Sequence, residues 1–335
     1  MKKNKIIIIA EAGGNHNGSI QKAFKLIDIA KKSGADYVKF QTFTAETLVS
    51  KNAPKANYQK KNVKKISHFK MIQNLEMDES MHSKIYKYCK KKKIKFLSSI
   101  FSIESLYLLK NFNVDFIKIP SGEITNLPLL EAVGKTKKKV ILSTGMSNIK
   151  EIREALNILK KNGIVSSKIN LLHCNTEYPT PFSDVNLNAI KKLKKTFNTN
   201  VGYSDHTIGI EASVGAAAVG ANIIEKHFTI SKKLSGPDHT SSLEPNELND
   251  LVKSIRNIEK SMGQSLKKVT KSEKKNIPIA RKSIYAATSI KKGEYFSRKN
   301  LICLRPALGI SPMKIYKLYG VKSKKNFNKG DLIRI

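Results

Sequence analysis

Eight short β-rich apolar runs punctuate the chain, at 6–10, 37–41, 95–99, 116–119, 140–143, 169–173, 201–203 and 223–226. Between most of them lie longer stretches with apolar residues every three or four positions, as at 20–32, 149–161 and 210–219. The runs are apolar almost throughout rather than alternating, as parallel strands covered on both faces are. Strand followed by helix, eight times over about 250 residues, predicts an α/β fold of the (β/α)8 TIM-barrel type. An open doubly wound sheet is the alternative. The one long break, 42–76, is polar and lysine-rich and predicts a loop or hairpin over the barrel mouth.

The pattern changes after the helix that ends near Met262. Lysines, serines and Pro278 between 264 and 280 suit a linker, leaving 1–263 as the barrel. From 281 to 335 the chain turns to short β runs and turns, with two similar turns at Lys292-Gly293-Glu294 and Lys329-Gly330-Asp331. A module this small is near the lower size for independent stability and is expected to pack on another surface.

Composition narrows the function classes. The 335 residues carry 62 Lys+Arg against 26 Asp+Glu, a formal charge of +36, with 40% hydrophobic residues. That is apolar enough for a real core, so disorder is excluded. Only six of the cations are arginine, the residue a base-reading surface would favour. The lysines cluster near the ends of the expected helices, where they stay solvated and complement the helix dipole, so no nucleic-acid partner is expected. No apolar stretch approaches the ~18–20 residues that cross a bilayer, so no membrane partner is expected either. The opening MKKNKIIIIAEAGG reads as a first buried strand rather than a signal peptide. Three well-separated cysteines, Cys89, Cys174 and Cys303, fit a reducing, cytoplasmic setting.

In a parallel barrel the chemistry sits at the C-terminal ends of the strands. Those positions hold Glu11, Lys39 with Gln41, Ser99, Lys118 with Ser121 and Glu123, Ser143, Thr176 with Tyr178, Ser204-Asp205-His206, and Glu225 with His227. Charges within apolar strands need partners, so Lys39, Lys118 and Glu225 are expected to be paired. Lysines and hydroxyls facing carboxylates and imidazoles suggest a small anionic substrate carrying a phosphate or carboxylate. Alone, a histidine at a strand end is an ordinary structural residue; His206 and His227 on adjacent strands equally fit a shared divalent metal. Ser204-Asp205-His206 is not a hydrolytic relay, because neighbours along a strand point to opposite faces.

Taken together, the segments IIAEAGGNHNGS, ADYVKFQTF, FIKIPSGEITNLPLL, VILSTGM, LLHCNTEYPTPFSDVNL, VGYSDHTIGIE, IEKHFT and GPDHTSSLEP resemble the sialic acid (nonulosonate) synthase family. The tail RKSIYAATSIKKGEYFSRKNLICLRPALGIS is similar to that family's antifreeze-like (SAF) domain. KIPSGEITNLPLL and HCNTEYPTPF are most similar to its legionaminic acid synthase branch, with N-acetylneuraminate as the nearest alternative product. The resemblance implies a metal-dependent condensation of phosphoenolpyruvate with an N-acetylmannosamine-type aminosugar, releasing phosphate. It assigns the metal, Mn2+ first and Mg2+ or Co2+ after it, to His206 and His227. It places phosphoenolpyruvate against Lys39, Lys118, Ser121 and Ser143, with Ser99, Thr176 and Ser204 as weaker contacts. Glu11 and Glu123 match the catalytic carboxylates, and Gln41, Tyr178 and Asp238 the sugar contacts. Arg305 matches a residue that enters the neighbouring subunit's site in a domain-swapped homodimer.

Two departures stand out. Strand three reads Ser98-Ser99-Ile100-Phe101 where relatives have STPF, keeping the hydroxyl and losing the proline. Asn175-Thr176 stands where some relatives have Thr-Asn, leaving open which side chain meets the ligand. The competing functions are a Schiff-base aldolase working through Lys39 or Lys118, and a binding protein that uses the tail for recognition.

Overall fold

The computed structural model describes residues 5–63 and 65–334. Eight parallel strands close a barrel in sequence order, which rules out the open sheet. They are β1 Ile7–Glu11, β2 Tyr37–Thr42, β3 Lys95–Ile100, β4 Phe116–Ile119, β5 Lys139–Ser143, β6 Ile169–Cys174, β7 Asn200–Asp205 and β8 Ile223–His227. Each falls within two residues of an apolar run. Closure joins β8 to β1 in a register that sets His227 beside Glu11.

The helices follow from caps and stripes. Ile149–Lys161 is started by Asn148, whose side chain accepts from the backbone of Lys150 and Glu151 while Glu151 caps back. It buries Ile152, Ala155, Leu156 and Leu159, one face at helical spacing. Ser19 and Asp78 start the helices Ile20–Lys32 and Glu79–Lys92 in the same way.

Inside the barrel the period is two. Ile9, Tyr37, Leu97, Phe116, Ile141, Leu172 and Ile223 form one buried apolar cluster. Two residues further along the same strands stand Glu11, Lys39, Ser99, Lys118, Ser143, Cys174 and Glu225. An apolar plug thus lies directly beneath a polar layer, as strand alternation requires. β7 completes the pattern with Gly202 below Ser204; a Cβ on Gly202 would lie 2.4 Å from Ile223 O and 2.7 Å from Leu172 Cδ2, so only glycine lets the strands approach there.

The break after β2 corrects the loop-or-hairpin expectation. It holds three short helices, Ala45–Leu48, Asn57–Asn62 and His68–Gln73, around a separate apolar cluster of Phe43, Ala45, Met71, Ile72 and Leu75. Glu76 Oε1 accepts from Ala45 N at 2.7 Å and ties the two ends of this excursion together. Asn62 Nδ2 donates to Pro237 O at 2.6 Å, fastening its middle to the loop after β8.

The chain divides into two compact units, Met1–Met262 and Gly263–Ile335. In the second, β9 Ser283–Ala286 pairs antiparallel with β10 Leu301–Leu304 over a core that includes Ile284, Phe296, Leu301, Phe327 and Ile333. Its two similar turns place Gly293 and Gly330 at φ +86° and +90°. Residues 264–280 carry the one-turn helices Lys271–Lys274 and Ile277–Ala280. Pro278 O accepts from Ala307 N at 2.7 Å, and Ala280 O from Arg305 Nε at 2.7 Å. No helix among the described residues is long and apolar enough to cross a membrane.

On the outer face of the barrel, fully buried Asp205 and Lys226 join β7 to β8 at 3.0 Å. Asp205 also accepts from Thr207 N (2.9 Å), Thr207 Oγ1 (2.8 Å) and Ser213 Oγ (2.6 Å). Lys226 Nζ donates to Thr207 O at 2.6 Å. Removing one partner strands a buried charge, so Asp205→Ala should lose about 3–5 kcal/mol of stability by urea unfolding. A loss below about 1 kcal/mol would show that the pair is not what holds these strand ends.

Candidate active site

A cavity of about 320 Å3 opens at the C-terminal ends of the strands, where the polar layer forms its floor. A larger groove of about 540 Å3 runs outside the barrel between the helices Ile103–Lys110 and Leu127–Lys135 and reaches none of these residues.

Two buried lysines organise the floor. Lys39 Nζ lies 2.8 Å from Glu11 Oε2 and 3.7 Å from Glu225 Oε1, and donates to Ser99 Oγ at 2.8 Å. Lys118 Nζ lies 3.7 Å from the same Glu225 oxygen and donates to Ser143 Oγ at 2.7 Å. Glu225 Oε1 also accepts from Ser204 Oγ at 3.0 Å. The three strand charges expected to need partners are therefore all paired. Burial opposes the Lys39 charge, but Glu11 and Glu225 outweigh it and hold its pKa above the usual value. Lys118 goes the other way, lowered by burial, with Lys39 nearby adding repulsion. Burial and the Glu225 charge raise Glu11 to about 7 against the pull of Lys39, whereas Glu225 is held down by its two lysines despite burial.

Beside this network stand His206 and His227, ring centroids 5.5 Å apart. Burial lowers His206 to about 4 and His227 well below its usual value, so both are neutral at pH 7. His206 Nδ1 donates to Asn175 O, which fixes the tautomer and leaves Nε2 with a lone pair that accepts from Tyr178 OH at 3.0 Å. His227 Nδ1 is buried without a partner among the described residues. Two neutral imidazoles, one with an orphaned buried nitrogen, are suitable donors for a divalent ion. No cluster of three or more His, Cys, Asp or Glu is placed to hold a metal among the described residues.

A family model described as the NeuB family matches residues 26–267, and an SAF domain model matches 281–335. The chain belongs to the NeuB family. Among its NeuB relatives, the N,N'-diacetyllegionaminic acid synthase of Campylobacter jejuni is 53% identical over 98% of this chain and 99% of its own. The enzyme of that name from Legionella pneumophila is 43% identical over 96% of this chain and 92% of its own. The crystal structure of an N-acetylneuraminic acid synthetase from Leptospira borgpetersenii, bound to citrate, aligns with a TM-score of 0.72 at 35% identity, covering 82% of this chain and 90% of that one.

Of the residues singled out in the sequence, Glu11, Lys39, Gln41, Ser99, Lys118, Ser121, Ser143, Thr176, Tyr178, Ser204, His206, His227 and Asp238 all line the one NeuB cavity. Thr176 lines it and Asn175 does not, although Asn175 contributes the carbonyl that orients His206. Burial raises Asp238 to about 6. Glu123 is not among the lining residues; it sits in the 3-10 turn after β4, where its Oε2 accepts from Asn126 Nδ2 at 2.7 Å. Arg305 is exposed and lies in the second unit. Glu225 emerges as central to the floor although no role was assigned to it; its place two residues before His227, on the same face of β8, was the available signal. Tyr58, His68 and the apolar residues of the excursion also line the cavity and carried no sequence signal.

Gly13 has φ +50°, and a Cβ there would meet Glu11 Oε1 at 3.3 Å, His227 Cε1 at 3.4 Å and Gln41 Nε2 at 3.5 Å. Gly13→Ala should therefore cost about 1–2 kcal/mol of stability and disturb the carboxylate and imidazole together. Chemical unfolding and kcat/KM measured on the same preparation check this; unchanged values for both would contradict it.

Proposed function

We propose that this chain is a C–C bond-forming transferase that condenses phosphoenolpyruvate with an aminosugar and releases phosphate. The acceptor is 2,4-diacetamido-2,4,6-trideoxymannose, the product N,N'-diacetyllegionaminate. N-acetylmannosamine, giving N-acetylneuraminate, is the nearest alternative. The observation that carries this reading is the paired lysine floor, Lys39 with Ser99 and Lys118 with Ser143, beside two neutral histidines in a family that includes such synthases.

Lys39, Lys118, Ser121 and Ser143 bind the phosphate and carboxylate of phosphoenolpyruvate, assisted by Ser99, Thr176 and Ser204. His206 and His227 would hold the divalent ion, Mn2+ before Mg2+ or Co2+, which would supply Lewis-acid polarisation of the acceptor's aldehyde. Gln41, Tyr178 and Asp238 bind the sugar. The enol carbon attacks the aldehyde carbon, water adds at C2, and phosphate leaves as the C2 ketone forms. Glu11, with a pKa of about 7, both accepts and returns a proton near neutral pH, and Glu123, in the same turn as the lining residues Ser121 and Gly122, serves the second transfer.

The 281–335 module, following the 264–280 linker, supplies Arg305 to the partner subunit's site in a domain-swapped homodimer. The strongly exposed Leu308, Met313 and Tyr316 give this module an apolar surface for such an assembly to cover. Three unpaired cysteines and the small phosphorylated substrate suit the cytoplasm.

Phosphate release should require phosphoenolpyruvate, aminosugar and divalent metal together, and chelation should abolish it. Lys118→Met should lower kcat/KM for phosphoenolpyruvate by about 10–100-fold, the worth of one charge-assisted contact. Release without an acceptor, or indifference to chelation, would refute the reaction. Mixing the impaired Arg305→Ala and Lys118→Met chains should raise activity above that of either alone, because a swapped dimer rebuilds one intact site; no gain would refute the swap. An imine mechanism on Lys118, whose pKa burial lowers, is the second reading. Borohydride with pyruvate would then leave a covalent adduct on that lysine.

A further inference from the structure

The cavity has two chemically different sources. Every lysine that lines it comes from the barrel strands, whereas the excursion after β2 contributes Phe43, Leu48, Val49, Met71, Ile72 and Leu75. Four of these, Phe43, Met71, Ile72 and Leu75, are only 2–9% exposed and pack into the excursion's own cluster, so the wall is preformed rather than loose. Leu75 packs on the turn after β1, where its Cδ1 lies 3.0 Å from a Cβ built on Gly14.

The excursion offers little polarity in return. The Gln59 amide is spent, its Oε1 accepting from Ala56 N at 3.0 Å and its Nε2 facing Tyr58 OH at 3.4 Å. Tyr58 and His68 are the other polar side chains it adds to the lining.

We propose that this wall is a subsite for methyl-bearing substituents of the acceptor. The proposal rests on the synthase reading and names the residues that select the sugar. An acetamido group fits such a surface, because it carries a methyl to bury. A 6-deoxy carbon likewise ends in a methyl. N-acetylmannosamine instead presents hydroxyls at C4 and C6, which lose their water against Leu48, Val49 and Ile72 and gain no partner from those side chains. The wall therefore selects the diacetamido trideoxy sugar by leaving the alternative's hydroxyls unpaired. The lysine floor, which binds phosphoenolpyruvate, takes no part in the choice.

The test compares kcat/KM for the two acceptors using full-length enzyme, Mn2+ and saturating phosphoenolpyruvate. Wild type should favour the diacetamido sugar by about tenfold or more. Leu48→Gln and Val49→Thr, both at half-buried positions, should each shrink that ratio several-fold. The KM for phosphoenolpyruvate should stay within about twofold, since the lysine contacts are untouched. A wild-type preference for N-acetylmannosamine, an unchanged ratio in both wall variants, or a parallel rise in KM for phosphoenolpyruvate would each overturn the subsite while leaving the synthase reading intact. Turnover with neither acceptor would instead overturn the synthase reading and the subsite with it. Thermal unfolding of each variant separates a changed wall from a damaged fold, and the second wall variant decides the matter if the first is destabilised.

Discussion

Charge buried inside a barrel has to be neutralised by charge from another strand, and that requirement organises this protein. Lys39 from β2 answers Glu11 from β1 and Glu225 from β8, while Lys118 from β4 answers Glu225 across the lumen. These contacts form only when all the strands stand in one register. A slip of one residue in β2 or β4 would turn its lysine out toward the helices and leave a carboxylate alone in the core. The constraint that stabilises the barrel is thus the one that assembles the floor of the cavity.

The apolar plug makes this arrangement affordable. It seals the barrel immediately below the charges, so the ionised groups face a single opening and feel a low dielectric from every other side. That setting separates otherwise similar groups. Glu11 and Glu225 share a lysine, yet one is raised and the other lowered, because Glu225 has two cations and Glu11 has one at close range. Lys39 and Lys118 diverge for the matching reason.

The barrel and most of its site are legible in the sequence because both follow from short-range rules. Parallel strands announce themselves as apolar runs, functional groups sit where the runs end, and alternation sends Ser204 and His206 inward while Asp205 turns outward to Lys226. The centrality of Glu225 depends on which strands close the barrel, a long-range property that no local pattern encodes. The turn carrying Glu123 and the unit carrying Arg305 escape the same logic, since neither belongs to a barrel strand. The excursion is hidden for another reason. Its helices span four to six residues, too short for a helical period to emerge from a polar, lysine-rich stretch.

That excursion is closed at its base by the contact between Ala45 N and Glu76, so a change of length between them need not shift β2 or β3. The mouth of the barrel can be remodelled while the strand register and the buried charges stay fixed. Descendants of one ancestral barrel could then diverge in what they admit without disturbing how they react. The apolar part of the mouth and the charged floor are carried by different segments of this chain.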